Sequence, residues 1–269
     1  MKNKYGIVCA LLFGAIFSAG FFAGCSKGEG RECVVRMAVS SDYPPYAYLH
    51  RGKLTGIDVE IGEQIAKEAG GKLQIVNGHF SDLIELVRQG KADLAICALA
   101  VTPERRRAVL FSDPYEFAGQ TFLVRSGENI RYLTDMKEHY GFRIGAETGS
   151  TGYTLIAKYL KESGIPIRLI GYIGNREALK ALLNRQIDAV ILDPLVARCL
   201  LMEYPGRLEI LQDLLNHEEF AVAVSRRNPR LLDAANRVIH RLWNSGKLYE
   251  LQQKHMKQSF KQGERANVP

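Results

Sequence analysis

The chain has few of the residues that build metal centres or disulfide scaffolds: its 269 residues include five cysteines, none in a C-x-x-C or other metal-ligating spacing, which argues against a zinc site. Cys9 and Cys25 lie within and at the end of an N-terminal apolar run. That leaves Cys33, Cys97 and Cys199, three residues that cannot all pair, and buried free thiols are expected for them. The histidines, His50, His79, His139, His217, His240 and His255, never stand four apart on one helical face and read as structural or solvated. No P-loop, dinucleotide-type glycine pattern or Ser/His/Asp arrangement occurs, so neither a metal nor another cofactor is expected. Lys and Arg exceed Asp and Glu by 36 to 29, but the basic residues are scattered apart from Arg105-Arg106-Arg107 and Arg226-Arg227, which argues against nucleic acid. Repeats, low-complexity tracts and a Pro/Ser-rich linker are also missing. A chain of this length exceeds one hydrophobic core, so two domains or one large α/β domain are expected. Without a linker, two domains would be joined by strands passing between them, leaving one discontinuous and creating a hinge.

At the N-terminus, Lys2 and Lys4 precede an apolar run from Gly6 to Gly24, the layout of an export signal. The run ends in Phe22-Ala23-Gly24-Cys25, which resembles the bacterial lipobox. That resemblance implies removal of residues 1–24, a diacylated Cys25 holding the chain to a membrane, and a hydrophilic tether over 25–30. Each buried methylene of such an anchor contributes about 0.8 kcal/mol. An uncleaved transmembrane anchor is the alternative, since the run is nearly long enough to span.

From residue 33 onward, short apolar runs alternate with helical patterns, which predicts α/β architecture with largely parallel sheets. Strands are expected at Val34 to Val39, Leu73 to Val76, Leu94 to Leu99, Thr121 to Val124, Phe142 to Ala146, Ile167 to Ile170, Ala189 to Leu192 and Ala221 to Val224. Asp58 and Ser81 are expected to cap helices. Thr102-Pro103, Asp193-Pro194 and Asn228-Pro229 each place a capping residue before a proline at a helix start. One or two helices are expected from Leu231 to about Met256, followed by a frayed tail over 261–269.

Specific landmarks then occur in order: Asp42-Tyr43-Pro44-Pro45-Tyr46, Gly56-Ile57-Asp58-Val59-Glu60, Phe80-Ser81-Asp82-Leu83-Ile84, Gly90-Lys91-Ala92-Asp93, Val101-Thr102-Pro103-Glu104-Arg105, Phe111-Ser112-Asp113-Pro114-Tyr115, Thr148-Gly149-Ser150-Thr151 and Ile187-Asp188-Ala189-Val190-Ile191-Leu192-Asp193. Over roughly Val34 to Met256 the chain resembles the amino-acid-binding branch of the periplasmic solute-binding proteins of ABC transporters (bacterial solute-binding protein family 3), in a lipoprotein form. The resemblance implies a two-lobed, type II periplasmic-binding-protein fold. Lobe 1 would be 31–119 plus 219–260 and lobe 2 would be 120–218, with hinge strands near Gly119 to Val124 and Glu219 to Val224.

An amino-acid ligand carries a carboxylate and an ammonium that both lose water on capture, so its binder needs a fixed cation, a fixed anion and several donors. The resemblance places Arg105 as the cation, whose planar fork suits a carboxylate; the alternative is a solvated helix face. Thr151, at the start of a helical run, would serve the other carboxylate oxygen, or cap the helix. Asp193 resembles the ammonium acceptor, or caps the helix at Pro194. Tyr43 and Phe80 match two aromatic positions that sandwich the ligand side chain, with core packing as the other reading, while Asp42 is a turn cap or a contact. Ala98 and Ala100 stand where relatives often carry Ser, Thr or Gly, so a hydroxyl is missing. Glu147 would favour a cationic side chain.

These residues imply an exported protein of the periplasm or cell envelope that binds arginine first, then glutamine, lysine or histidine, and hands it to an ABC permease in the inner membrane. It would act as a monomer and not as an enzyme. A prephenate-type (cyclohexadienyl) dehydratase on the same fold, with Glu147 as general acid, and a ligand-dependent sensor are the competing readings.

Overall fold

The alternation of apolar runs and amphipathic segments resolves into two five-stranded sheets and one small meander. The structure, a computed structural model, describes residues 33–263 apart from Leu133, His139, Gln212 and Asp213. The expected signal segment, the 25–30 tether with Cys25, and residues 264–269 lie outside the described residues. In chain order the elements are β1 (Cys33–Val39), β2 (Asp42–Tyr43), β3 (Ala47–His50), β4 (Lys53–Thr55), α1 (Ile57–Glu68), β5 (Gly71–Asn77), α2 (Leu83–Arg88), β6 (Leu94–Ala95), α3 (Pro103–Ala108), β7 (Leu110–Ala118), β8 (Thr121–Arg125), β9 (Arg143–Glu147), α4 (Thr151–Ser163), β10 (Arg168–Tyr172), α5 (Asn175–Leu183), β11 (Ala189–Leu192), α6 (Pro194–Glu203), β12 (Leu208–Ile210), β13 (Glu218–Val224), α7 (Pro229–Asn244) and α8 (Lys247–Gly263). The first sheet has the order β5-β1-β6-β13-β7, the second β10-β9-β11-β8-β12, and β2-β3-β4 form the meander.

Each sheet mixes parallel and antiparallel pairs. β1 runs parallel to β5 and β6, whereas β13 runs antiparallel to β6 and β7. Likewise β9 runs parallel to β10 and β11, whereas β8 runs antiparallel to β11 and β12. Both faces of the second sheet are covered: Phe122 and Val124 of β8 pack into one apolar cluster and Leu123 into the other, as the two-residue period of a strand requires. α7 buries Leu231, Ala234, Ala235, Val238, Ile239 and Leu242, a helical stripe at three- and four-residue spacing.

The two sheets repeat one electrostatic device. Asp93 accepts from Arg36 through the backbone N (2.8 Å), Nε (3.1 Å) and Nη2 (2.7 Å). Asp188 does the same for Arg143, at 2.9, 2.9 and 2.8 Å. Two of the sequence landmarks are therefore fastenings that set the start of β6 beside β1 and of β11 beside β9.

The chain passes from the first sheet to the second through Gly119 and Gln120 alone and returns over residues 211–217. The expected hinge strands, near Gly119 to Val124 and Glu219 to Val224, lie largely within the sheets: Thr121 to Val124 belongs to β8 and Glu219 to Val224 to β13. The passages are tied together: Gln120 N donates to Asn216 Oδ1 at 2.8 Å and Leu215 N to Gln120 O at 2.8 Å. A Cβ on Gly119 would lie 2.2 Å from Asn216 O, so only glycine lets them approach.

Other expectations need correction. Leu94 to Leu99 is a strand only at Leu94–Ala95, because Ala98 turns to φ 45° and its N–H is drawn to Asp58 Oδ2 at 2.7 Å. Asp58 is thus not a cap; it is a fully buried residue of α1, whose capping position is Gly56. Ser81 lies inside a single turn of 3₁₀ helix, Phe80–Asp82, that runs into α2. The meander, β7 and β12 were not expected; Pro114 interrupts the pattern of β7, which tolerates it as the edge strand of its sheet. Asn228 precedes Pro229 at the start of α7 without a side-chain capping bond. The C-terminal region forms two helices, and α8 extends through 261–263 where a tail was expected. Cys97 and Cys199 are buried free thiols, as expected, whereas Cys33, half-buried at the start of β1, is not among them.

Gly56 yields a direct test. Its φ is +136°, and a Cβ there would lie 2.0 Å from Tyr46 O, because the first amides of α1 donate to Pro45 O (3.1 Å) and Tyr46 O (3.0 Å). Gly56→Ala is expected to destabilise the fold by about 2–4 kcal/mol. Gly52→Ala, at φ +78° with open space around it, should cost only about 1 kcal/mol. Denaturant melts compare the two.

Candidate functional site

Between the sheets lie two adjoining spaces. One is the narrower and more enclosed, with a free volume of about 20 Å³, room for a single water; the other is wider, about 1210 Å³. Of the sequence-predicted residues, Tyr43, Phe80, Ala98, Arg105, Glu147 and Thr151 line the enclosed space. Ala100 and Asp193 line the wider cavity, together with Arg105 and Thr151, which border both. The first sheet and its loops supply Tyr43, Phe80, Ala98, Ala100 and Arg105; the second supplies Glu147, Thr151 and Asp193.

Arg105 is aimed by its own helix start. Thr102 Oγ1 accepts the Arg105 N–H at 3.2 Å and Pro103 opens α3. The guanidinium then donates to Ala100 O at 2.8 Å and, across to the second sheet, to Gly149 O at 3.1 Å. Its central carbon lies 5.4 Å from the Phe80 ring centroid, a cation–π contact. Burial lowers its pKa, and Glu218 is the first of the groups acting against that shift. Arg106 and Arg107 are exposed, so the three arginines divide into one cleft residue and two surface ones.

Asp193 fills the capping role expected of its position and also reaches the facing lobe. Oδ1 caps α6 by accepting from Leu195 N and Val196 N, each at 3.0 Å, while Oδ2 accepts the Tyr43 hydroxyl from the facing lobe. It is fully buried, and burial pushes its pKa up to about 6 against the lowering effect of these bonds. Tyr43 stacks on Tyr46, with centroids 5.8 Å apart and planes at 18°, while Phe80 is buried beneath Arg105. The α4 cap is Ser150, whose Oγ accepts Tyr153 N at 3.0 Å; Thr151 is the first helical residue and its amide belongs to the unbonded first turn.

Glu147 ends β9 inside the enclosed space. Burial, then the charge of Asp42, pushes its pKa up to about 8, partly offset by Asn175 Nδ2, which donates to Oε2 at 2.8 Å. Asp42 accepts from Ser40 Oγ at 3.2 Å, a bond between side chains rather than the backbone bond of a turn cap, and its charge bears on Glu147. Asp58 and Glu116 are pushed up to about 7, in each case chiefly by burial. Gln120, Ser150, Asn175, Glu218 and Phe220 also line the enclosed space and were not singled out. Ser150 stood within a landmark, but Glu218 and Asn175 carry no local pattern that marks them.

These carboxyls fix the sign of a pH effect. A carboxyl whose folded pKa lies above its unfolded value makes the folded chain bind more protons, so stability falls as pH rises through that window. Asp193, Asp58, Glu116 and Glu147 all shift this way; buried His255, whose pKa is lowered chiefly by burial, opposes them. The thermal midpoint of the ligand-free protein is expected to drop between about pH 5 and about pH 8. Glu147→Gln should flatten that slope, as calorimetry across the range would show.

The family model for bacterial extracellular solute-binding proteins, family 3, matches residues 35–258. An arginine-binding extracellular protein of Bacillus subtilis is 24% identical over 92% of this chain and 95% of its own length. An L-cystine-binding protein of Escherichia coli is 27% identical over 81% of this chain and 80% of its own. Among solved structures, an amino-acid ABC transporter substrate-binding protein from Streptococcus pneumoniae, bound to L-arginine, superimposes with a TM-score of 0.76 at 28% identity, covering 84% of this chain and 96% of that one. A T. maritima ArgBP mutant matches with a TM-score of 0.76 at 30% identity, over 83% of this chain and 95% of that one. The two-sheet scaffold is thus the expected type II periplasmic-binding-protein fold, and the chain belongs to the bacterial extracellular solute-binding proteins, family 3.

Proposed function

We propose that this protein is the extracytoplasmic solute-binding component of an amino-acid ABC importer, and that its ligand is arginine, ahead of glutamine, lysine and histidine. The observation that carries the reading is the content of the enclosed space: a fixed guanidinium, Arg105, and an interior carboxyl, Glu147, with Tyr43 and Phe80 on its walls. A molecule with a carboxylate and a separate cation complements that pair. The Asp42 charge beside Glu147 adds a second negative group at the same place, which favours a guanidinium over a neutral amide. The arginine-binding relatives and arginine-bound structures support the same choice.

In this reading the lobes are 31–119 with 219–260, and 120–218. They close about the paired crossings at Gly119–Gln120 and 211–217. Arg105 and Thr151 hold the α-carboxylate, Asp193 holds the ammonium, and the Tyr43 and Phe80 rings flank the side chain. Ala98 and Ala100 contribute backbone only. Ligand contacts to both lobes stabilise the closed form that a permease would read. Dehydration chemistry is the weaker reading. Glu147 has the protonation of a general acid, but the ancestral neighbour on the path to cyclohexadienyl dehydratase is itself described as an amino-acid-binding protein.

Calorimetry against the twenty amino acids, after refolding to strip carried-over ligand, tests this. Tight binding of arginine or another basic amino acid is expected. Arg105→Ala should cost about 2–5 kcal/mol of binding energy, and Glu147→Gln should weaken arginine more than glutamine. Indifference to all twenty would defeat the reading.

The cell-envelope location and the lipid at Cys25 belong to the same proposal, supported by the apolar run and the Phe22-Ala23-Gly24-Cys25 sequence. Mass spectrometry of the N-terminal peptide from membranes should show a chain beginning at Cys25 with a diacylglyceryl thioether. A Cys25 sulfur found free or disulfide-bonded would refute it.

A further inference from the structure

The cleft holds a carboxylate beyond the proposed clamp of Arg105, Thr151 and Asp193. Glu218, the first residue of β13, is only 9% exposed, yet it borders both the enclosed space and the wider cavity. Its oxygens accept from two neutral amides: Asn216 Nδ2 donates to Oε1 at 2.9 Å and Gln120 Nε2 to Oε2 at 3.1 Å. Neutral dipoles orient a charge without cancelling it. The charge is felt by both proposed ligand-binding ions, since Glu218 raises the pKa of Arg105 and of Asp193. It therefore sits near the guanidinium and near the proposed ammonium acceptor at once.

Asp193 alone is a poor host for an ammonium. Its Oδ1 already accepts two backbone amides and its Oδ2 already accepts the Tyr43 hydroxyl. An α-ammonium brings three N–H donors, and burying it against one partly occupied oxygen leaves most of its desolvation uncompensated. Two nearby carboxylates that disfavour each other's charge are relieved by a cation shared between them.

We propose that Glu218 is a ligand-contacting, specificity-determining residue, which takes the α-ammonium together with Asp193 and makes the site discriminate against ligands that lack an α-amino group. The assignment rests on the amino-acid-binding reading above. Glu218 is tied through Gln120 and Asn216 to both passages between the sheets, so an ammonium that draws on Glu218 acts directly at the hinge.

The test pairs side-chain removal with ligand trimming. Calorimetry on the full chain would use L-arginine, desaminoarginine (which lacks the α-amino group) and agmatine (which lacks the carboxylate), with wild type, Glu218→Gln and Asn216→Ala. Glu218→Gln is expected to weaken L-arginine by about 30-fold or more, to weaken agmatine comparably, and to leave desaminoarginine nearly unchanged. Asn216→Ala, which loosens the hinge tie but keeps the charge, should retain the wild-type preference for arginine over desaminoarginine. Unchanged arginine affinity in Glu218→Gln overturns the assignment. So does a loss that persists with desaminoarginine and vanishes with agmatine, which would mean that Glu218 acts only through Arg105. A loss equal for all three ligands, or reproduced by Asn216→Ala, would mean a structural hinge role and equally overturns it. A wild type indifferent to all twenty amino acids would instead sink the functional reading beneath it.

Discussion

The cleft is organised around a guanidinium stretched between two lobes and bonded there to carbonyl oxygens. Arg105 reaches Ala100 O in its own lobe and Gly149 O in the other, with the Phe80 face beneath it. Carbonyl dipoles and a ring quadrupole solvate a cation, but they leave its net charge in place. Burial therefore still lowers the Arg105 pKa, and the charge remains available to an anion that can displace one carbonyl. The geometry needs several fixed parts: the Thr102 cap and Pro103 that start α3, and the left-handed Gly149, whose loop closes on Ser81 with a built Cβ only 3.1 Å from its Cα. Each positions backbone, and backbone positions the ion.

Around that cation the interior holds an excess of acid. Asp58, Glu116, Asp193 and Glu147 are all shifted upward chiefly by burial. Tyr115 lies beside Asp58 and Tyr46 beside Glu116 without a hydrogen bond from either hydroxyl, while the Tyr43 hydroxyl donates to Asp193. A phenol donates one hydrogen bond without adding charge, so it moderates a buried carboxyl and leaves it capable of meeting a cation. Such an arrangement stabilises the ligand-free fold poorly, because desolvated carboxyls must hold protons or remain unpaired. The same feature would favour a cationic ligand, which in the proposed function supplies the missing counter-charge when the lobes meet.

Much of the fold was legible in the sequence, and so was part of the site, for different reasons. Strands such as Ala189–Leu192 were readable because a buried strand shows a continuous apolar run, and Thr102-Pro103 and Asp193-Pro194 because capping is local chemistry. Arg105, Asp193 and Glu147 were reached through landmark order, and the structure brings them to the same cleft. The failures were non-local. Asp58 looked like a cap because a carboxylate near a helix start usually is one, yet its partner is the Ala98 amide forty residues away. The β2-β3-β4 meander escaped because its strands are only two to four residues long, below the length at which alternation is visible. Glu218 is isolated in sequence and gains meaning only where two crossings and two lobes converge. Landmarks such as Asp93 and Asp188, by contrast, were conspicuous because they fasten strands, and conspicuousness there reports architecture rather than ligand contact.

Ala98 and Ala100 limit what the cleft can offer an anion. A hydroxyl at either position would have given a ligand carboxylate one more neutral donor, and the structure shows what remains without it. The Ala98 N–H is held by Asp58, and Ala100 offers only a carbonyl, already engaged by Arg105. In the proposed site, anion recognition would thereby be concentrated on Arg105 and the first turn of α4, and cation recognition on the interior carboxyls. A site with few neutral donors and several desolvated charges selects by sign and spacing of charge more than by hydrogen-bond shape. That bias suits a ligand charged at both its backbone and its side chain, because each charge then meets a fixed opposite one. For a neutral side chain, the raised pKa of Glu147 leaves a protonated carboxyl that has no charge to answer.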